Sequence, residues 1–216
     1  MKKLLVAVTL AFAAVFSLTS FGVFDVTASA SEQEGVKVLT TEQLEEMNTV
    51  LENLKNRVNE KLEQGETDIT VYGNVSFQDE PISLSFKEDS TLPMDAVNSD
   101  ATARLVTPLA TAASQMKTFK AEVKNTAGFN FSHRLDGTFL YASGKVKSYS
   151  YDTTLYGPFY GKTHSDKATK LDPSLVEIRS TGKFKALKYA PVEYTTHIVI
   201  HLYGSGTYKL KQASIG

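Results

Sequence analysis

The sequence predicts a mainly β protein: an N-terminal amphipathic helix and short β-hairpin, a linker, then an antiparallel β-sandwich or barrel. Three observations predict it. Apolar residues recur at spacings of three and four between Leu44 and Leu62, the period of one helix face. From 67 to 87, and again from 117 to 216, apolar and polar residues alternate with period two, as in strands with one buried face. Glycine-containing turn pairs punctuate the second of these regions at short intervals.

The chain opens with Lys2 and Lys3, then an apolar stretch from Leu4 to Phe24 broken only by Thr9, Ser17, Thr19, Ser20 and Gly22. Ala28-Ser29-Ala30 supplies the small residues that signal peptidase reads, and Ser31-Glu32-Gln33-Glu34-Gly35 turns polar at once. Residues 1–30 are therefore expected to be a secretory signal peptide, with Val26-Thr27-Ala28 as a second cleavage site. An apolar run of about 20 residues can also span a bilayer, but the hydroxyls and Gly22 weaken that reading. No later segment is long and apolar enough to cross a membrane. The chain has no cysteine, which excludes disulfides and thiolate zinc sites and matches many Gram-positive exoproteins.

Residues 31–87 read as an acidic helix plus hairpin. Thr40 with Gln43 is a capping-box pattern. Leu44, Met47, Leu51, Leu54, Val58 and Leu62 form the apolar stripe, and Gly65 is a C-terminal stop. Ile69, Val71, Gly73, Val75 and Phe77, then Ile82, Leu84 and Phe86, form two strands around the turn Gln78-Asp79-Glu80-Pro81. Residues 88–116 lose all period and carry Pro93 and Pro108. They read as a linker with a short helix near Ala110 to Met116.

Residues 117–216 read as a basic all-β domain of eight or nine short strands. Phe119, Ala121 and Val123 alternate with charges; Phe129, Phe131 and His133 share a face. Turns are expected at Asp136-Gly137, Ser143-Gly144, Thr181-Gly182 and Gly204-Ser205-Gly206. The strands between them are Thr138–Ala142, Lys145–Tyr151, Thr153–Tyr160, Ser174–Arg179, Lys183–Tyr189, Val192–Tyr203 and Thr207–Gln212.

No residue is assigned to catalysis, cofactor or metal. His197 and His201 would suit zinc on a helix. On the β-branched run around them they lie on one strand face, about 13 Å apart at about 3.3 Å per residue, with Ile198, Ile200 and Leu202 facing the core. His164-Ser165-Asp166 contains three triad residue types, but triad members meet from separate elements, and the segment reads as a polar loop. Asp136 in a turn and Asp172 before Pro173 have structural placements. Nine of the ten tyrosines fall after residue 140. Tyr149 and Tyr151, with Lys145 and Lys147 on the same parity, read as a basic, aromatic row. Together with His197 and His201 these form the candidate ligand surface.

Charge is divided along the chain. Residues 31–100 carry 16 acidic and 5 basic side chains; residues 101–216 carry 7 and 16. Such asymmetry speaks to partners rather than fold. It suits an anionic cell-surface polymer or a protein, or pairing of acidic 31–87 with basic 117–216 inside the molecule.

Phe159-Tyr160-Gly161-Lys162-Thr163-His164-Ser165, followed by Gly182-Lys183-Phe184-Lys185-Ala186, resembles secreted lactococcin-type bacteriocins. The resemblance implies a cysteine-free β-sandwich that interferes with cell-wall synthesis. It covers about 30 residues and lacks that family's tryptophans. The chain also has the general look of secreted proteins of bacilli. The expected role is a secreted, non-enzymatic binding or envelope-associated protein. A toxin-like protein with an acidic masking region, and a hydrolase with an unrecognised site, are the alternatives.

Overall fold

The computed structural model describes residues 38–90, 114–125, 130–186 and 192–216. The expected signal peptide, residues 91–113 of the linker, Phe129 and Tyr189 lie outside the described residues; Glu88–Ser90 and Gln115–Met116 are strand rather than linker or helix, because each continues the pairing of its neighbours. Thr40 caps the helix α1 (Thr41–Glu63) through the reciprocal Thr40–Gln43 box. Met47, Leu51, Leu54 and Val58 are its buried stripe. Gly65, at φ +82, takes the left-handed step that ends it.

Nine strands follow: β1 (Asp68–Gly73), β2 (Ile82–Ser90), β3 (Gln115–Asn125), β4 (Phe131–Ala142), β5 (Lys145–Tyr156), β6 (Tyr160–Asp172), β7 (Leu175–Ala186), β8 (Glu193–Tyr203) and β9 (Tyr208–Ile215). They run as antiparallel meanders, β1 to β5 in one sheet and β6 to β9 in a second. The inner faces of both sheets and the stripe of α1 share one hydrophobic core. Aromatic rings gather in two groups: Phe86, Phe119, Phe139 and Tyr208, and Phe131, Tyr160, Phe184 and Tyr194. Fold class thus follows the alternation, and Ile198, Ile200 and Leu202 are fully buried.

Several boundaries differ from the sequence reading. Asp136-Gly137 and Thr181-Gly182 are not turns; each lies inside a continuous strand. Both glycines serve close approach. A Cβ on Gly137 would stand 2.5 Å from the Phe119 ring, and one on Gly182 would stand 2.7 Å from Leu155. The expected break at Tyr151 is also absent, so β5 is one strand. His164-Ser165-Asp166 is not a loop but part of β6, a strand without an apolar face of its own. The first hairpin strand stops at Gly73, where a Cβ would meet Val50 of α1 at 2.5 Å.

The acidic and basic parts are not separate bodies. β2 pairs with β3 over nine residues, Ile82↔Asn125 to Ser90↔Lys117, and α1 and β1 to β9 belong to one compact unit. Among the described residues, the ion pairs that cross between the two parts are Lys117–Glu88 and Lys209–Glu63, at 2.7 and 3.7 Å.

α1 joins the free edges of the two sheets. Asn48 Nδ2 donates to the Ile215 carbonyl (2.7 Å) and its Oδ1 accepts the Ile215 N–H (2.9 Å). Asn59 does the same for Leu210, at 2.8 and 2.9 Å. On the β1 side, the Arg57 guanidinium donates to the Tyr72 carbonyl at 2.9 Å. Replacing buried Asn59 by Ala leaves both backbone groups of Leu210 without a partner. Asn59→Ala should cost about 1–3 kcal/mol in urea denaturation. Asn53→Ala, on the exposed side of α1, should cost under about 0.5 kcal/mol. Equal costs would show that the amides do not hold the edge.

Candidate functional site

The outer face of the second sheet is set by register. Its rows are Thr163–Lys183–Thr195, Ser165–Thr181–His197–Ser214, Lys167–Arg179–Val199–Gln212 and Thr169–Glu177–His201–Lys209, with Lys185 opposite Glu193. This face therefore carries five cations, Lys167, Arg179, Lys183, Lys185 and Lys209, against Glu177 and Glu193. Hydroxyls fill much of the rest. His201 Nε2 and the Arg179 guanidinium both meet the Glu177 carboxylate, at 3.1 and 3.2 Å. These bonds hold Glu177 below the usual carboxylate range. His197 Nδ1 contacts the Thr181 hydroxyl at 3.1 Å; partial burial and Arg179 lower its pKa.

The other sequence-selected residues lie elsewhere. Tyr149 and Tyr151 are on β5 in the first sheet, their rings 6.5 Å apart and stacked. Their row partners are Phe139 and Gly137, so they point along the core side at the sheet edge that β5 forms. A register shift beside Leu140 and Tyr141 leaves Lys147 unpaired and turns Val146 inward. Lys145 is thereby on the opposite side from Tyr149. The expected basic and aromatic row is split by this bulge.

The outer face of the first sheet is near neutral. A shallow groove crosses it over the backbone of Phe119, Gly137 and Tyr151. Lys87, Lys120, Asp136 and Asp152 stand along one wall, and Asp89, Thr118, Thr138 and Ser150 along the other. Across the whole face, Lys87, Lys120, Lys124, Arg134 and Lys145 oppose Asp68, Asp89, Glu122, Asp136 and Asp152. Among the described residues no group of three potential ligands is placed to hold a metal ion.

Between the sheets lies a polar chain that the sequence reading missed. His133 Nε2 is 2.8 Å from Ser180 Oγ, and Nδ1 is 2.8 Å from Thr196 Oγ1. Ser180 Oγ is 2.7 Å from Thr153 Oγ1, which reaches Asp166 Oδ1 at 3.0 Å. Asp166 Oδ2 then meets His164 Nδ1 at 2.8 Å, at the protein surface. Five strands contribute: β4, β5, β6, β7 and β8.

The order of protons follows from the carboxylate, which only accepts. Thr153 donates to Asp166, so Ser180 must donate to Thr153. Ser180 then accepts from His133 Nε2–H, and bare Nδ1 accepts from Thr196. Every link has one proton in this order. The Ser180–His133 pair is not arranged for acyl transfer: Ser180 is fully buried, and a hydroxyl rather than a carboxylate meets Nδ1.

No protein-family profile, curated protein or solved structure matches the chain. Among the described residues no helix is long and apolar enough to cross a membrane.

Burial lowers the His133 pKa from 6.5 to about 4, against the pull of Asp166 and with help from His197 and His164. The folded value is depressed, so the unfolded chain takes the proton first. Stability is complete above about pH 6.5 and falls as pH drops toward 4. The loss should reach about 3 kcal/mol in urea unfolding across that window. His133→Gln, which has no proton to gain, should flatten it. A wild-type profile flat from pH 7 to 4.5 would contradict the assignment.

Proposed function

We propose that the chain is an exported, non-enzymatic binding protein, secreted or held at the cell surface. Its ligand is an extended anionic surface polymer laid across the outer face of the second sheet. One observation supports this reading above the rest: five cations against two carboxylates on that face, where the opposite face has five against five. A flat face of lysine and hydroxyl rows suits a repeating polyanion better than a small molecule, which needs a concave pocket. Export rests on Lys2, Lys3, the apolar run and Ala28-Ser29-Ala30. The stacked rings of Tyr149 and Tyr151 on β5 offer a second, smaller contact area.

Binding of residues 31–216 to immobilised teichoic acid, with neutral dextran as control, tests the reading. Binding should weaken as salt rises beyond about 0.15 M, where the Debye length is about 8 Å. The double variant K167E/K183E should bind at least about tenfold more weakly, since it reverses two charges facing the polymer. K145E should change it little. Unaltered binding by the double variant, or binding indifferent to salt, would sink the proposal.

A second reading has one observation of its own. The two bacteriocin-like segments are separate in sequence but adjacent in space: Tyr160 to His164 pair with Ala186 to Gly182 in register. The likeness is thus one contiguous patch at the start of β6 and the end of β7. An antimicrobial directed at the cell wall would inhibit growth of related bacteria at micromolar concentration. Absence of any zone of inhibition would remove this reading and leave the first.

A further inference from the structure

The sandwich has two sides of different chemistry. On one, α1 covers the β9 edge with amides that do not ionise. On the other, β5 ends one sheet and β6 ends the second. There the polar crossing is the hydroxyl chain, with Leu155 of β5 packed on Gly182 of β7. His133 sits at its inner end, fully buried, and His164 at its outer end, exposed.

We infer that His133, Ser180, Thr153 and Asp166 form an acid-operated latch that holds β5 and β6 together and releases that side of the sandwich, while α1 keeps the other side closed. The inference is independent of the polymer-binding reading. With the latch shut, His133 is fully buried and its two ring nitrogens meet the Ser180 and Thr196 hydroxyls. With it open, the imidazole meets water and takes a proton at its ordinary value. Acid therefore favours the open form, by about tenfold per pH unit between the two values.

The groups facing His133 agree with this direction. β5 presents Thr153 and Leu155; β7 presents Ser180 and Gly182; β8 presents Thr196. None carries a charge. β6 presents Asp166, which favours the imidazolium, and His164, which opposes it; His197 opposes it through the second sheet. Arg134 and Asp136, next on β4, pair with each other on the outer face. A proton can be accommodated at Nδ1 only if Thr196 turns its hydroxyl to the Gly182 carbonyl, at 3.4 Å. That is a long bond, so the closed form gains little.

The absence of cysteine makes single introduced thiols clean probes. Ile178 lies in the row that begins at Ala168 of β6, and Ala213 lies on β9 beside α1; both are buried. I178C and A213C variants of residues 31–216 would be labelled with a disulfide reagent active in acid, each rate normalised to a free thiol at the same pH. Between pH 7.5 and 5.0 the I178C rate should rise about thirtyfold, and the A213C rate less than about threefold. Adding H133Q to I178C should remove the rise. An equal rise at both probes, no rise at I178C, or a rise that survives H133Q would overturn the latch. Should H133Q not fold, imidazole NMR of the unsubstituted protein decides. Neutral His133 carrying its proton on Nε2 at pH 5.0 supports the latch; a proton on Nδ1, or titration near 6.5, overturns it.

Discussion

The unpaired edge of β9 is the constraint on which the architecture turns. A buried strand edge needs partners for its N–H and carbonyl groups, and no tenth strand is present among the described residues. α1 supplies them through Asn48 and Asn59. These are 11 residues apart, about three turns and about 16.5 Å, so both amides emerge from one helix face. Leu210 and Ile215 are five apart in the strand, also about 16.5 Å. Five is odd, and in a regular strand it would send their backbone groups to opposite edges. The register shift opposite Val199 and Ile200 inserts Lys211 and corrects this. Thr195 and Gly216 exchange both backbone bonds, so neighbouring Ile215 faces α1. Helix pitch, strand rise and one bulge together let a helix substitute for a strand.

With α1 committed to β9 and β1, the edges of β5 and β6 have no such cover among the described residues. Their sequences answer the problem with charge. On β6, Lys162, His164, Asp166 and Lys170 stand in the inward rows, an arrangement that discourages a foreign strand from docking. On β5, the bulge at Lys147 interrupts the edge. Inward polar groups on an edge strand must still be satisfied. Asp166 finds Thr153, and the demand for donors then passes through Ser180 to His133 and Thr196. The buried histidine is thus tied to edge protection: a carboxylate at the rim orients a chain of hydroxyls into the core.

Much of the fold was legible because burial is one-sided. Alternation at Ile198, Ile200 and Leu202, or at Phe119, Ala121 and Val123, marks a strand whatever its neighbours are. β6 was not legible for the same reason: Lys162-Thr163-His164-Ser165-Asp166-Lys167 has no apolar face. Its place is set by register with β7, which is a long-range fact. Gly137 and Gly182 look like turns in sequence because glycine permits turns. Only the Phe119 and Leu155 side chains across from them show that space, not backbone freedom, is the requirement. The polar chain left a faint mark. His133 stands between Phe131 and Leu135, Ser180 between Ile178 and Gly182, and Thr196 between Tyr194 and Ile198. Each is a polar residue on an apolar period-two face. Such interruptions show that a strand has a buried polar group, but not that three of them meet.

Charge divided along the chain becomes charge divided between surfaces. The acidic N-terminal part supplies α1, whose Glu42, Glu45, Glu52, Glu60 and Glu63 are exposed. That helix runs along β9, and Lys209–Glu63 marks where it borders the basic face. A polyanion approaching the second sheet is therefore repelled on the β9 side and attracted at β6 and β7, where Lys167, Arg179, Lys183 and Lys185 lie. Exposed ion pairs contribute only about 0–1 kcal/mol each, so the helix does not owe its position to them; its apolar stripe and two asparagines hold it. The carboxylates of α1 are then free to shape the field. They narrow the attractive surface to the two strands farthest from the helix, one of which, β6, carries the outer end of the buried chain.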